Sequence, residues 1–429
     1  MKKILFTFIV LFGIEYSFAA GLATTDCNYI NDFVGGRATG MAGAYTAMAD
    51  DPAGSYYNPA GLVFALDNQI SLSVNSYKEK HLIFEKAVSN HDYKQRISSF
   101  YPSFFGVIQT LGPFKAAFSI ININNEILDQ DELFSGIYAL DDSGVAFPSS
   151  FSINFNITDN TLLAGLSLAS FVTDDFTVGL TLYGLRRRSE LIMNQMIIYD
   201  KGQVDNTPYE IINLYQTDNY LGLLGRLGLQ YMPINLLSFG LSFGLGNIFS
   251  HKRESQYFYK SESSGNDFTE LNSNGTSKII NQKNNISYSD DKIPYNLRAG
   301  VALFVNEDFI VSFDCIVDLG DQYYQNKVND TINFALGFEY YFLKTLPVRL
   351  GFFTNLANTP EIDKNKTNQD LHVDLYGLSL SFSWETKNSA ISLSGFFQKG
   401  EGEAQIQGGN VQDTNIWMYS ASLTGSAKY

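Results

Sequence analysis

From about residue 68 to the C-terminus, large apolar side chains recur at every second position over stretches of ten or so residues. Leu237, Phe239, Leu241, Phe243 and Leu245 alternate with Ser238, Gly240, Ser242 and Gly244. Ile332, Phe334, Leu336, Phe338, Tyr340 and Phe342 alternate with Asn333, Ala335, Gly337, Glu339 and Tyr341. Tyr376, Leu378, Leu380, Phe382 and Trp384 do the same against Gly377, Ser379, Ser381 and Ser383. Side chains alternate across a strand, so each run is a strand with one bulky apolar face and one small, polar face. The chain is all-β.

Strands are predicted over approximately 68–78, 96–109, 113–125, 160–171, 176–192, 216–231, 236–251, 292–305, 308–322, 328–342, 346–356, 371–385, 389–400 and 414–428, about fourteen in all. Short turns at 110–112, 172–175, 232–235, 306–307, 343–345 and 386–388 alternate with longer polar segments such as 193–215 and 252–291. One tight side and one long side is how a transmembrane antiparallel β-barrel is connected. The even count brings the C-terminus back to the side where the barrel begins. A soluble sandwich has no reason to sort its connections this way. Phe147 to Ile157 also alternates, but a further wall strand there would break the parity, so it is assigned to the second long loop. The final run, Trp417, Tyr419, Ala421, Leu423, Gly425, Ala427 and Tyr429, ends on an aromatic and resembles the terminal strand read by barrel-assembly machinery.

The other end of the chain agrees. Lys2 and Lys3 precede an apolar run from Ile4 to Ile14, with small residues at Ser17, Ala19 and Ala20. This is the pattern of a secretory signal peptide cleaved after Ala19 or Ala20. Cys27 follows Thr24-Thr25-Asp26, which is not a lipoprotein context. No later apolar segment is long enough for a transmembrane helix. The two cysteines make no disulfide framework, and a net charge of −15 argues against a nucleic-acid partner.

A barrel must close, because lipid cannot satisfy a free strand edge. Fourteen strands enclose a lumen wider than side chains alone fill, so something must plug it. The stretch Gly35–Leu62, GGRATGMAGAYTAMADDPAGSYYNPAGL, is dense in small residues, compact and irregular. Pro59 fixes its own φ and pushes Asn58 out of the helical region. The expected plan is a signal peptide over 1–20, a plug over 21–66 and a barrel over 67–429.

Sites of chemistry are scarce. Gly36, Gly40 and Gly43 do not match a G-x-G-x-x-G loop, and no strand precedes them. His81, His91, His251 and His372 are scattered without metal-ligand spacing. No G-x-S-x-G nucleophile elbow occurs. No catalytic residue, metal or cofactor is expected. Cys315 shares the face of Phe313 and Val317 and is expected to face lipid. By parity, Arg226, Arg298, Asp314, Glu339 and Arg349 point into the lumen, with Glu339 and Arg349 nearly opposite each other across one turn. Arg37, Asp50 and Asp51 are their natural partners on the plug. One of the arginines is also a candidate to receive a substrate carboxylate. Arg186-Arg187-Arg188 sits near the outer end of the fifth strand, with Arg187 inward and a candidate to attract an anionic ligand. Apolar residues in the long segments, among them Ile127-Leu128, Ile197-Ile198-Tyr199 and Tyr257-Phe258-Tyr259, either pack the loops together or form a greasy access groove.

The Gly-Arg-Ala start at Gly36, the Ala-Asp-Asp-Pro ending at Pro52 and the Asn-Pro-Ala-Gly of Asn58, Pro59, Ala60 and Gly61 resemble the N-terminal hatch of the FadL/TodX family of outer-membrane transporters. Together with the strands, the resemblance spans nearly the whole mature chain. It implies a fourteen-stranded barrel in the outer membrane of a diderm bacterium, surrounded by outer-membrane lipids and plugged by a hatch. It implies a hydrophobic ligand, a long-chain fatty acid or other lipid, captured at an outer groove. The ligand passes inward by diffusion as the hatch shifts, and leaves sideways through a gap in the wall. A non-transporting scaffold for protein secretion or surface attachment, and an open pore for polar solutes, are the alternative functions.

Overall fold

The computed structural model describes residues 27–88, 91–135, 147–200, 209–262, 277–288, 292–320, 322–323, 326–366, 369–405 and 410–429. The predicted signal segment 1–20 lies outside them. The strands are β1 (Gln69–Val88), β2 (His91–Leu111), β3 (Phe114–Ser135), β4 (Phe147–Phe171), β5 (Phe176–Asp200), β6 (Tyr209–Ile234), β7 (Leu237–Glu262), β8 (Ser277–Tyr288), β9 (Lys292–Asn306), β10 (Phe309–Leu319), β11 (Gln322–Tyr323), β12 (Asn326–Lys327), β13 (Thr331–Phe342), β14 (Leu346–Asn355), β15 (His372–Val373), β16 (Leu375–Glu385), β17 (Ser389–Ala404) and β18 (Gln412–Lys428). Fourteen of them, β1–β7, β9, β10, β13, β14 and β16–β18, form one antiparallel wall. β18 pairs with β1 from Gln69↔Lys428 to Phe84↔Thr414 and closes the ring. The others are local: β8 extends the partner of β7, β11 and β12 pair with each other, and β15 pairs with β17. All six short turns fall at one end of the barrel, the end where β1 begins and β18 finishes. At one of them Leu343 and Lys344 have φ of 53° and 58°, the left-handed geometry of a tight hairpin turn.

Below the level of the long loops the outward side chains are apolar: Leu166, Leu168, Leu180, Leu182, Leu227, Phe239, Leu378, Phe382 and Leu393 are all exposed. Cys315 lies on this outward face beside Phe313, opposite in sense to the fully buried Asp314. Above that belt the pattern reverses. In β4 the buried residues are Phe151, Ile153, Phe155 and Ile157, and Ser152 and Asn154 point out.

This reversal corrects two expectations. Phe147–Ile157 is not part of a loop; it is the outer half of β4, paired with β3 and β5 along its length. It adds no strand, so the parity holds. Likewise much of 193–215 and 252–291 is strand, because β5, β6 and β7 run on past the bilayer. Beyond lipid, an outward side chain gains nothing by being apolar, and the inward ones can build a core of their own. There Leu82, Phe84, Tyr93, Ile97, Leu128, Phe155, Leu191, Met193, Ile212 and Ile416 form one apolar cluster inside the outer end of the barrel.

Candidate functional site

The segment Cys27–Ala65 lies within the ring and is almost wholly buried there. It holds a short helix at Gly36–Gly40, another at Gly54–Tyr57 and a 3-10 turn at Pro59–Phe64. Asn58 sets the last of these. Its Oδ1 accepts from the Ala60 amide at 3.1 Å, and Pro59 takes the first helical position, where no amide donor is needed. The Asn58 Nδ2 donates to the Thr46 carbonyl at 2.8 Å and to Leu229 of β6 at 3.1 Å. One amide therefore ties the turn to the rest of the segment and to the wall.

The small, polar inner face of the strands now has a purpose. Thr177, Thr181, Ser238, Ser379 and Ser394 donate to the carbonyls of Ala60, Ser55, Ala47, Gly40 and Gly36 at 2.7–3.1 Å. These bonds satisfy irregular backbone that has no sheet of its own. Wall glycines let it approach: a Cβ on Gly228 would stand 2.1 Å from Asn58 Oδ1, and one on Gly240 the same distance from the Thr46 carbonyl.

Arg226, Arg298, Asp314, Glu339 and Arg349 are all buried. Glu339 and Arg349 are a direct cross-strand pair and bonded. Arg37 of the segment sets both Nε and Nη2 on Glu339 at 2.8 Å each. Its Nη1 binds Asp50. Arg349 also reaches Ser383 and, at 2.6 Å, Glu385. Burial alone would lower the Arg37 pKa, and the carboxylates of Asp50 and Glu339 hold it well above its ordinary value. Asp314 accepts from the amides of Tyr45 and Thr46 at 3.2 and 3.0 Å and from the Thr46 hydroxyl at 2.5 Å. Arg226 and Arg298 lie over the rings of Tyr56 and Tyr57, each 5.3 Å from the centroid.

Asp50 and Asp51 do not reach wall cations. Asp50 is held by Arg37 and, at 3.3 Å, the Tyr45 hydroxyl. Asp51 accepts from the Ala53 amide at 2.8 Å and caps the following turn. The guanidinium that Asp50 meets, that of Arg37, is on their own segment. Burial, with Asp50 beside it, raises the Asp51 carboxyl to about 6. Arg187 is bound to Asp159 of β4 and lies over Tyr220, 5.6 Å from its centroid. Among the described residues no three His, Cys, Asp or Glu side chains gather as a metal-binding group.

Among the described residues the β2–β3 ladder is incomplete: it runs from Leu111↔Phe114 to Phe104↔Ile121, and beyond that only Ile97 pairs with Leu128. Register shifts lie nearby in β1 against β18, between Asn75 and Tyr77, and in β1 against β2, between Asn75 and Lys78. A further one in β3 against β4 falls between Asn122 and Asn124. Pro102 explains part of this, since it cannot donate to a ladder, and the run Asn122–Asn125 holds three more poor strand formers, Asn122, Asn124 and Asn125. These are the signals that a reading for alternation passes over. It also passes over Tyr45, Tyr56, Tyr57, Ser383 and Glu385, whose roles depend on what lies across the lumen.

No family model matches the chain, and no curated protein matches it in sequence. Solved structures do. A FadL homologue from Pseudomonas aeruginosa superposes with a TM-score of 0.60 at 12% identity, over 94% of this chain and 99% of that one. The toluene transporter TbuX from Ralstonia pickettii gives 0.61 at 14%, over 93% and 99%. The toluene transporter TodX from P. putida gives 0.60 at 13%, over 94% and 99%. With its closed wall and apolar outer belt, the chain is a β-barrel of fourteen strands that shares the fold of the FadL- and TodX-type transporters.

Proposed function

We propose that the barrel carries hydrophobic small molecules such as long-chain fatty acids across the outer membrane by passive diffusion. Residues 21–66 act as a hatch within the barrel of residues 67–429, after export directed by residues 1–20. The observation that carries this reading is the incomplete β2–β3 ladder, which sits between the apolar cluster at the outer end and the segment-filled lumen. A ligand entering through the apolar cluster meets the segment below it and has a sideways route past residues 98–103 and 122–127. The bonds that must yield are those of Arg37 to Glu339 and of Asn58 to Leu229. Ligand opens the hatch only so far as it binds the shifted state more tightly.

A lock tests this. A Cβ built on Gly36 stands 3.2 Å from the Ser392 Cβ, within a few tenths of an ångström of disulfide spacing, but also 2.7 Å from Thr424 Oγ1 and 2.9 Å from its Cβ, so the lock is built together with Thr424→Gly. Gly36→Cys with Ser392→Cys, in a Cys27→Ser, Cys315→Ser background, is expected to stop uptake of a fluorescent fatty acid into proteoliposomes when oxidised and to restore it on reduction. Uptake indifferent to the lock sinks hatch gating. A purified barrel that binds no fatty acid sinks the transport reading as a whole.

A further inference from the structure

On four neighbouring strands the outward face of the wall changes character at one height. In the apolar belt Leu166, Leu168, Leu180, Leu182 and Leu227 are exposed. Toward the long-loop end, β4, β5 and β6 set Leu162, Arg186 and Leu221 side by side. The next row out is Asn160, Arg188, Asn219 and Lys252, from β4, β5, β6 and β7. Arg186, Arg188, Asn219 and Lys252 are all exposed. Acidic side chains enter only in the row beyond, at Glu190 and Glu254 on either side of Thr217.

Two of the three cations have no carboxylate. Arg188 is bonded to Glu190 at 3.0 Å, whereas neither Arg186 nor Lys252 makes an ion pair among the described residues. The chain carries 44 Asp and Glu against 29 Lys and Arg, so a strip with cations in excess runs against its overall charge. The β18–β1–β2 seam is built differently: there Tyr77 packs on Tyr419, and the outward arginine, Arg96, is held by Glu79 at 2.8 Å. A guanidinium between two leucines at the edge of a lipid belt is unfavourable alone and favourable beside an anionic headgroup. The spacing allows all three to meet one group. Successive rows lie roughly 7 Å apart, and Arg188 and Lys252, two strands apart, about 10 Å, distances that long basic side chains close between them. One row below Arg186 the outward pair is Ala164 and Gly184, and a Cβ on Gly184 would meet only the Ala164 carbonyl, at 3.8 Å. The wall there leaves room for an acyl chain beneath the cations.

We propose that Arg186, Arg188 and Lys252, with Asn219 between them, form an external site for the phosphate of an anionic phospholipid in the leaflet beside the long loops, its chains lying on the belt below. The site is outside the wall and separate from any molecule the lumen passes. A phosphate offers several strong acceptor oxygens to forked and point-charge donors, which suits two arginines and a lysine. An anionic head is favoured over a zwitterionic one because the cations outnumber the acids and the unpaired ones stand nearest the belt, where a lipid phosphate lies.

Native mass spectrometry of the purified full chain in neutral detergent tests this, with dioleoyl phosphatidic acid, dioleoyl phosphatidylethanolamine and dioleoylglycerol as probes. The wild type is expected to hold one phosphatidic acid roughly tenfold more tightly than either other lipid, since each cation near a membrane surface is worth roughly fivefold. Arg186→Gln with Lys252→Gln is expected to abolish the preference, and Arg186→Lys with Lys252→Arg to keep it. Arg96→Gln, at the ion-paired arginine of the seam, is expected to leave it unchanged. Heat-modified gel mobility identifies any variant that fails to fold. Arg186→Gln alone, expected to lose roughly fivefold, then carries the comparison. A preference that survives the double glutamine variant, or falls equally in Arg96→Gln, overturns the site. Phosphatidylethanolamine held as tightly as phosphatidic acid overturns the anionic assignment. Displacement of the lipid by millimolar inorganic phosphate makes this a site for free phosphate and overturns the lipid. Retention of none of the three lipids overturns the site and leaves the transport reading, which concerns the lumen, to its own test.

Discussion

Arg37 and Glu339 face each other with two parallel hydrogen bonds of 2.8 Å, one residue on the lumen segment and the other on β13. Glu339 is also gripped by Arg349 from β14, so one fully buried carboxylate serves two guanidinium groups. A buried ion pair adds little against a well-packed apolar equivalent, but removing one member leaves the other charge stranded.

Glu339→Gln is therefore expected to cost about 3–5 kcal/mol, because it leaves Arg37 and Arg349 side by side. The double variant Arg37→Met, Glu339→Gln should recover part of that loss. The urea midpoint of the folded barrel in detergent measures both. Equal midpoints for Glu339→Gln and wild type exclude Glu339 as the anchor.

Asp51 gives the docked segment a pH dependence. Its carboxyl is raised from 3.8 to about 6 when the segment is in place. Between those values the docked state holds a proton that a released segment does not. Docking is therefore strongest at the acid end and weakens as the pH rises through about 6, with no further change from this group above it. Asp51→Asn should remove the slope. Protease susceptibility of the segment, followed from pH 7 to 4.5 in both proteins, reads the difference.

Asn58→Ala removes the cap on the 3-10 turn and the bond to Leu229 together. A loss of about 1–2 kcal/mol is expected. Gly228→Val should loosen the same contact from the opposite side, since even a Cβ there meets Asn58 Oδ1. The two effects should not add, because both act on one contact.

The interrupted ladder should be visible in solution. Amides of residues 98–103 and 122–127 are expected to exchange with solvent deuterium faster than those of Val178–Tyr183 in β5, whose ladders are continuous on both sides. Uniform protection around the ring at this height would contradict the break.

The wall was legible in the sequence because lipid imposes one rule on every outward residue over the same height. Alternation in Leu237–Leu245 or Tyr376–Trp384 carries face, register and parity at once. What failed failed for one reason. Above the bilayer the rule is withdrawn, and Phe151 to Ile157 keeps its alternation with the apolar side turned inward. A reading tuned to apolar-outward strands took it for loop. The lumen contacts were legible only in part. Arg37 could be matched to the wall by charge, but which carboxylate it would choose depends on heights across a closed ring, which local spacing does not encode. Asp50 and Asp51 settled on their own segment, where a neighbour was closer. The break at Pro102 left a signal, but one residue in a run of good strand formers is a faint one.

The two ends of the lumen segment limit what it can do mechanically. At its start, Asn28 donates to the carbonyls of Asn355 and Val373, and Asn358 donates to Cys27, all near the long-loop end. At its finish, Ala65 leads within four residues into β1 at the short-turn end, and Lys115 holds its carbonyl. The segment is thus a chord strung the length of the barrel and fastened at both ends. Such a chord cannot be expelled as a unit without first being cut loose. While both fastenings hold it can only bow, so on the proposed transport reading passage would be confined to a narrow channel along one side of the barrel, too tight for folded solutes.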